Sequence, residues 1–163
     1  MPNWCSNTIT VSHEDAEQMA KFEKAMNEGN LFQTFVPLSS GEWDYGTAIE
    51  EWGTKWDVNG GEFNLDEMAG DYNTGFGFFD TAWGPPIAFY EAMKELGFQI
   101  TATYHESGMA FIGQWSNEDG DECFEYDFEN EDWRDGIPEE LTEQLEFEYE
   151  CWLESQEENE EED

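Results

Sequence analysis

Glutamates recur along the C-terminal part of this chain at a spacing that would place their carboxylates in one line. Pro138 is typical of the first turn of a helix, and apolar residues recur at helical spacing from there to about Gln156. One side of this predicted helix contains Leu141, Leu145, Tyr149, Trp152 and Leu153. The opposite side contains Glu139, Glu143, Glu146, Glu150, Glu154 and Glu157.

A line of carboxylates could imitate the phosphates of a nucleic acid strand. With Glu140 and Glu148 included, the helix carries about one carboxylate per 3.5 Å of its axis. One DNA strand carries a phosphate about every 3.4 Å. Ordinary surface helices alternate glutamate with lysine, because like charges three or four residues apart repel, yet no lysine or arginine lies between Asp135 and Asp163. The pattern therefore predicts a surface that mimics a polyanion.

A second acidic cluster precedes the predicted helix and would extend the same surface. It comprises Glu118, Asp119, Asp121, Glu122, Glu125, Asp127, Glu129, Glu131 and Asp132. The chain of 163 residues has a formal net charge of −36, and 23 of its 41 acidic residues lie in residues 116–163, where Arg134 is the one basic residue. We predict that this cluster binds the partner together with Glu139, Glu143, Glu146, Glu150 and Glu154.

The spacing gives little support to a metal or cofactor site. A calcium loop needs acidic residues at positions one, three and five and glycine at six. With Gly120 at position six, position one is Trp115, and a loop that begins at Asp57 reaches Met68 at position twelve. Ligand spacing typical of zinc sites is also missing among Cys5, Cys123, Cys151, His13 and His105. We expect neither a metal nor a cofactor.

Catalysis and direct nucleic-acid binding are also disfavoured. His105 beside Glu106 could form a general base and its orienting carboxylate, but a single histidine at a strand end is more often structural. Gly75 and Gly77 belong to a strand pattern rather than to a phosphate-binding loop. Five basic residues cannot form the basic surface that nucleic acids or anionic membranes require. We therefore predict no catalytic residue, no enzyme activity, and no direct contact with nucleic acid or membrane.

The elements that would position these residues belong to an α+β fold. An aromatic content of 17% supplies enough core material for a folded body despite the charge. Strands are predicted at 7–12, 74–81, 98–104, 109–115 and about 123–128. Helices are predicted at 13–27, at 47–52 and after Pro85-Pro86. A loop is predicted at 31–46, and turns are predicted at Gly60-Gly61 and Ser107-Gly108. This order predicts helices on one face of an antiparallel sheet.

Four motifs in this body resemble the YubB-type ferredoxin-like family of bacteriophages and plasmids. They are Pro2-Asn3-Trp4-Cys5-Ser6-Asn7, Trp52-Gly53-Thr54-Lys55-Trp56-Asp57, Thr81-Ala82-Trp83-Gly84-Pro85-Pro86 and Tyr104-His105-Glu106-Ser107-Gly108. The resemblance covers about residues 2–116. It implies a ferredoxin-like βαββαβ arrangement and an origin on a mobile element, and it implies no particular chemistry.

These observations predict a ferredoxin-like domain at 1–116, an acidic extension of a strand and an amphipathic helix packed on it at 117–156, and a disordered acidic tail at 157–163. No apolar run is long enough to span a membrane, the N-terminus lacks a signal pattern, and three cysteines argue against a disulfide framework. The cytoplasm of an infected bacterial host is the expected location.

Two functions are compatible with this organisation. The first is a phage-encoded DNA-mimic inhibitor that blocks the nucleic-acid-binding surface of a host defence protein, such as a restriction, CRISPR or recombination nuclease. Its partner would be a basic nucleic-acid-binding protein. The alternative is a non-mimic protein–protein interaction module of a mobile element, whose acidity serves solubility. The sequence does not identify the target and does not decide between DNA and RNA as the mimicked ligand. It also leaves open whether the chain forms a homodimer.

Overall fold

Six strands and five helices form the part of the chain that the computed structural model describes, residues 3–67 and 70–162. In chain order they are β1 (Trp4–Ser12), α1 (Ala16–Glu28), α2 (Leu31–Phe35), α3 (Tyr45–Glu51), β2 (Asn59–Asp66), β3 (Asp71–Ala82), α4 (Ile87–Glu95), β4 (Gln99–Glu106), β5 (Phe111–Ser116), β6 (Gly120–Glu125) and α5 (Glu139–Glu162). The strands form one sheet in the order β2-β3-β1-β4-β5-β6, and every pairing is antiparallel. The predicted α+β class is confirmed.

One face of the sheet forms the main core with α1 and α4. Successive residues of a strand point to opposite faces, so alternate apolar residues of β1 and β4 meet the apolar sides of these helices. The main core includes Ile9, Val11, Phe22, Met26, Phe89, Met93, Ile100 and Trp115. The prediction that helices cover one face of the sheet therefore agrees with the positions of α1 and α4.

The opposite face carries a second core that holds α5. Ile112 lies three residues before Trp115 in β5 and so points away from the main core. The second core consists of Ile112, Tyr126, Trp133, Leu141 and Leu145. Because Ile112 belongs to the body and both leucines belong to α5, this cluster packs the C-terminal segment against the sheet.

The strand β2 was not predicted, and the predicted turn at Gly60-Gly61 is wrong. Both glycines lie inside β2, where the pairing with β3 shifts register between Asn59 and Glu62. Gly60 adopts a positive φ of 61°, which glycine tolerates readily. The two glycines thus form a bulge in an edge strand rather than a reversal of the chain.

The predicted loop at 31–46 contains α2 and the start of α3. Leu31 and Phe32 of α2 are fully buried. The carboxylate of Asp57 accepts hydrogen bonds from Phe32 N at 2.8 Å and Gln33 N at 2.9 Å, so it caps the first turn of α2. This cap comes from a residue 25 positions away, and no local pattern indicates it.

The C-terminal helix continues to Glu162 and so includes residues 157–162 of the segment that was predicted as a disordered tail; Asp163 lies outside the described residues. Glutamate favours the helical state, and no glycine or proline follows Pro138. Nothing in the local sequence therefore stops the helix at Gln156. The described residues include no helix that is both long and apolar enough to cross a membrane.

Candidate partner-binding surface

The outer side of α5 presents most of the predicted glutamates to solvent. Leu141 and Leu145 are completely buried in the second core, which fixes how the helix is rotated about its axis. The glutamates on the opposite side are therefore directed outward, and the exposed ones among those predicted are Glu139, Glu143, Glu150, Glu154 and Glu157.

Glu146 differs from the other predicted glutamates because it is paired with the one basic residue of this region. Arg134 donates two hydrogen bonds to the Glu146 carboxylate, from Nε at 2.7 Å and from Nη2 at 2.8 Å. The guanidinium also lies 4.3 Å from the ring centroid of Trp133 and 5.0 Å from that of Tyr149. The hydrogen bonds from Arg134 lower the pKa of the Glu146 carboxyl. Glu146 thus contributes less negative field to the line than its neighbours do.

The second acidic cluster is exposed but does not form a single line. Asp121 and Glu125 are the register partners of Trp115 and Phe111, whereas Glu122 is the partner of Gln114. Glu122 therefore lies on the opposite face of β6 from the other two. All nine residues of the cluster are exposed, and they are Glu118, Asp119, Asp121, Glu122, Glu125, Asp127, Glu129, Glu131 and Asp132. Because β6 is an edge strand, its charges also discourage unwanted strand pairing.

An exposed aromatic residue on the outer side of α5 was missed in the sequence analysis. Phe147 is 77% exposed and lies one helical turn from both Glu143 and Glu150. Its position outside the apolar side of the helical pattern was a signal that could have identified it. An aromatic ring among carboxylates supplies the apolar area that protein–protein contacts favour.

The two residues considered as a catalytic pair point to opposite faces of β4. Neighbouring residues of a strand cannot share a face, and the Cα register pairs His105 with Ile112, whose side chain lies in the second core. Glu106 is 1% exposed, and its carboxylate accepts hydrogen bonds from Gly108 N at 2.6 Å and Met109 N at 2.9 Å. Glu106 thus caps the turn between β4 and β5 rather than orienting His105.

We expect replacement of Glu106 by alanine to lower the free energy of unfolding by about 3 kcal/mol, because two charge-assisted hydrogen bonds to the turn are lost. Denaturant unfolding of the full chain measures this. The matched control is Glu125→Ala, at the exposed end of β6, which should change stability by less than about 0.5 kcal/mol. Equal effects of the two substitutions would contradict a structural role for the Glu106 carboxylate.

His105 instead takes part in a hydrogen-bonded network beneath α5. Its Nε2 lies 2.7 Å from the Tyr126 hydroxyl and 3.0 Å from Glu148 Oε2, and the Tyr126 hydroxyl donates to the same oxygen at 3.3 Å. Burial lowers the pKa of His105, although the nearby Glu148 carboxylate opposes that shift. With a proton on Nε2, the imidazole can donate toward Glu148 Oε2 and the Tyr126 oxygen, and the network joins β4 to α5.

The motifs that carry the family resemblance come together at one end of the sheet. The backbone N–H of Trp83 donates to the carbonyl of Asn3 at 2.8 Å, which joins the first and third motifs. The Cα register pairs Ser6 with His105, which joins the first motif to the fourth. The rings of Trp4 and Trp56 lie 6.1 Å apart and add the second motif.

This end of the sheet exposes an aromatic surface. Trp4 and Trp56 are each 37% exposed, and Trp83 is 49% exposed. Soluble proteins seldom leave several tryptophans together at the surface unless the patch contacts another molecule. The sequence analysis did not single out these tryptophans as a surface, although the motifs around them were the signal that could have marked them.

Within the described residues, no group of three or more histidine, cysteine, aspartate or glutamate side chains is placed to hold a metal ion. The cysteines Cys5, Cys123 and Cys151 are all free thiols. Burial raises the pKa of the Cys5 thiol to about 12, with a smaller contribution from Glu106. A thiol with so high a pKa is a poor nucleophile at neutral pH.

Comparison with protein-family models, with curated proteins and with solved structures finds no match for this chain.

Proposed function

We propose that this protein is a phage-encoded DNA-mimic inhibitor that blocks the nucleic-acid-binding surface of a host defence protein, such as a restriction, CRISPR or recombination nuclease. The observation that carries the proposal is the outward line of glutamates on α5, opposite two fully buried leucines. A helix that served only solubility would not need its charges on one side, since any exposed arrangement keeps a protein soluble.

The electrostatics favour a basic partner. A formal charge of −36 repels nucleic acids and anionic lipids and attracts a positively charged groove over a distance of about 8–10 Å at physiological salt. Opposed fields raise association rates and suppress binding to acidic proteins. We infer that the exposed glutamates of α5 make the main contact and that the acids of β6 and residues 127–132 extend it.

The proposed origin and fold family rest on the resemblance and on the strand order. A ferredoxin-like domain has the element order βαββαβ. The order β2-β3-β1-β4, with α1 after β1 and α4 after β3, is compatible with it. In this proposal β5, β6 and α5 are additions to a ferredoxin-like body, which comes from a bacteriophage or plasmid.

We expect capture of the target from bacterial lysate to weaken steeply with salt, because the contact is dominated by charge. Affinity for the captured protein should fall roughly tenfold or more between 50 and 200 mM salt. Pull-down with mass spectrometry identifies the protein, and a titration series measures the slope. Duplex DNA or guide RNA should compete for the same surface of that protein. Simultaneous binding of nucleic acid and this protein would contradict the proposal.

A second candidate function is a protein–protein interaction module that binds through the body. The exposed tryptophans Trp4, Trp56 and Trp83 at the end of the sheet favour it. The double variant Trp4→Ser, Trp83→Ser distinguishes the two functions. It should leave target binding unchanged if the acidic helix makes the contact, and it should abolish binding if the aromatic surface does.

A further inference from the structure

A cavity of about 430 Å³ lies between α5, the turn that joins β4 to β5, and the segment that follows β6. Its volume is within the range of small-ligand cavities. Three aromatic side chains line it, and the ring centroid of Phe128 lies 4.8 Å from that of Tyr126 and 6.1 Å from that of Trp152. We call this cavity the aromatic–carboxylate pocket; its lining residues are Ser107, Ala110, Tyr126, Asp127, Phe128, Glu148, Cys151 and Trp152.

The charged groups of the pocket are negative. Glu148 and Asp127 contribute carboxylates, and no lysine or arginine is among the lining residues. The contacts of Glu148 with His105 and Tyr126 both involve its Oε2, so Oε1 has capacity for a further donor. Burial lowers the pKa of His105, which disfavours a positive charge on the imidazole that contacts Glu148.

A second site on this helix holds a guanidinium group with a similar combination of side chains. On another side of α5, the guanidinium of Arg134 stacks over Trp133 and Tyr149 and donates two hydrogen bonds to Glu146. That site combines one glutamate of α5 with an aromatic residue three positions later. The pocket combines Glu148 with Trp152 four positions later, together with Tyr126 and Phe128. The same chemistry is therefore present twice on one helix.

We propose that the aromatic–carboxylate pocket binds the guanidinium group of an arginine side chain presented by another protein. Aromatic faces attract cations, and the planar guanidinium both stacks on a ring and donates several hydrogen bonds to carboxylates, which lysine does less well. The pocket uses the sheet-facing side of α5, where Glu148 contacts His105. The pocket is thus a different surface from the outward line of glutamates. The proposed binding of arginine therefore does not depend on whether that line mimics DNA.

A titration of the full chain with N-acetyl-arginine methylamide tests this at 150 mM salt, followed by NMR shifts of the tryptophan indole N–H groups. We expect a saturable shift confined to Trp152, with affinity at least tenfold higher than for the neutral citrulline analogue. The lysine analogue should bind more weakly, and free arginine more weakly still because its carboxylate is repelled. Equal affinity for citrulline, or tightest binding of free arginine, would overturn an arginine side chain as the occupant.

Two variants separate the pocket from general acidity. Glu148→Gln keeps the shape of the side chain and should weaken the arginine analogue at least fivefold. Glu143→Gln, on the outer side of α5, makes the same change of charge and should have no effect on the Trp152 shift. Trp152→Ala, followed by titration calorimetry because this variant lacks the reporting indole, should remove saturable binding, while Trp43→Ala, at an exposed tryptophan outside the pocket, should not. Equal effects of Glu148→Gln and Glu143→Gln would show nonspecific attraction and overturn the proposal.

Discussion

Replacement of Glu139, Glu143, Glu150 and Glu154 by glutamine is expected to weaken binding to the target protein at least 100-fold. These four carboxylates face solvent on the outer side of α5. If each loses about 0.7 kcal/mol of attraction to a basic surface, the total of about 3 kcal/mol corresponds to roughly a hundredfold change in affinity. Titration calorimetry or inhibition of the captured nuclease measures the loss, and the remaining affinity should depend less on salt.

Glu146 is left out of this variant for a structural reason. Its carboxylate receives both hydrogen bonds from Arg134, and its loss would release the guanidinium from its place over Trp133 and Tyr149. With a glutamine at this position, a loss of affinity could come either from the change of surface charge or from the change of packing. The four chosen positions have no such contact among the described residues.

A control with the same change of net charge distinguishes placement from quantity. Glu28, Glu42, Glu50 and Glu95 are exposed glutamates of the body, and their replacement by glutamine should change affinity less than about threefold. The helix variant should be at least as stable as the natural protein, because four pairs of glutamates spaced four residues apart are relieved of repulsion. If both quadruple variants lose affinity equally, only net charge matters, and mimicry by α5 is wrong.

The predictions that depended on local sequence agree best with the structure. The apolar side of the C-terminal helix identified Leu141 and Leu145, which are fully buried. The turn near Ser107-Gly108 and the strands on either side of it are also present. In each of these cases a periodicity or a turn residue within a short window carries the necessary information.

The features that the sequence did not reveal depend on partners distant in the chain. The cap of α2 comes from Asp57, and β2 has two glycines and forms only because β3 pairs with it. The packing of α5 on the second face depends on Ile112. A strand pattern alone does not indicate which residues Ile112 contacts. The contact of Glu148 with His105 likewise joins residues 43 positions apart, which no local pattern indicates.

Gly113 shows the same limit within a correctly predicted strand. The alternation of Phe111, Gly113 and Trp115 places all three on one face of β5. The pattern does not reveal that the ring of Tyr104, the register partner of Gly113 in β4, lies directly over this glycine. A Cβ at Gly113 would overlap the Tyr104 ring and come within 2.6 Å of the Glu122 backbone carbonyl oxygen. Gly113 is therefore required by close packing on both sides of β5.

We expect Gly113→Ala to lower the free energy of unfolding by about 3 kcal/mol, because either the Tyr104 ring or the β6 backbone must move. Displacement of Tyr104 would also break the hydrogen bond from its hydroxyl to Asp121, and displacement of β6 would weaken its pairing with β5. Denaturant unfolding measures the loss, and hydrogen exchange should increase first at the amides of β6. The matched control is Gly46→Ala in α3, whose added Cβ meets only the Asp44 carboxylate at an ordinary 3.6 Å and should leave stability unchanged or slightly raised. If Gly113→Ala is as harmless as this control, the close approach of Tyr104 is not a constraint on the fold.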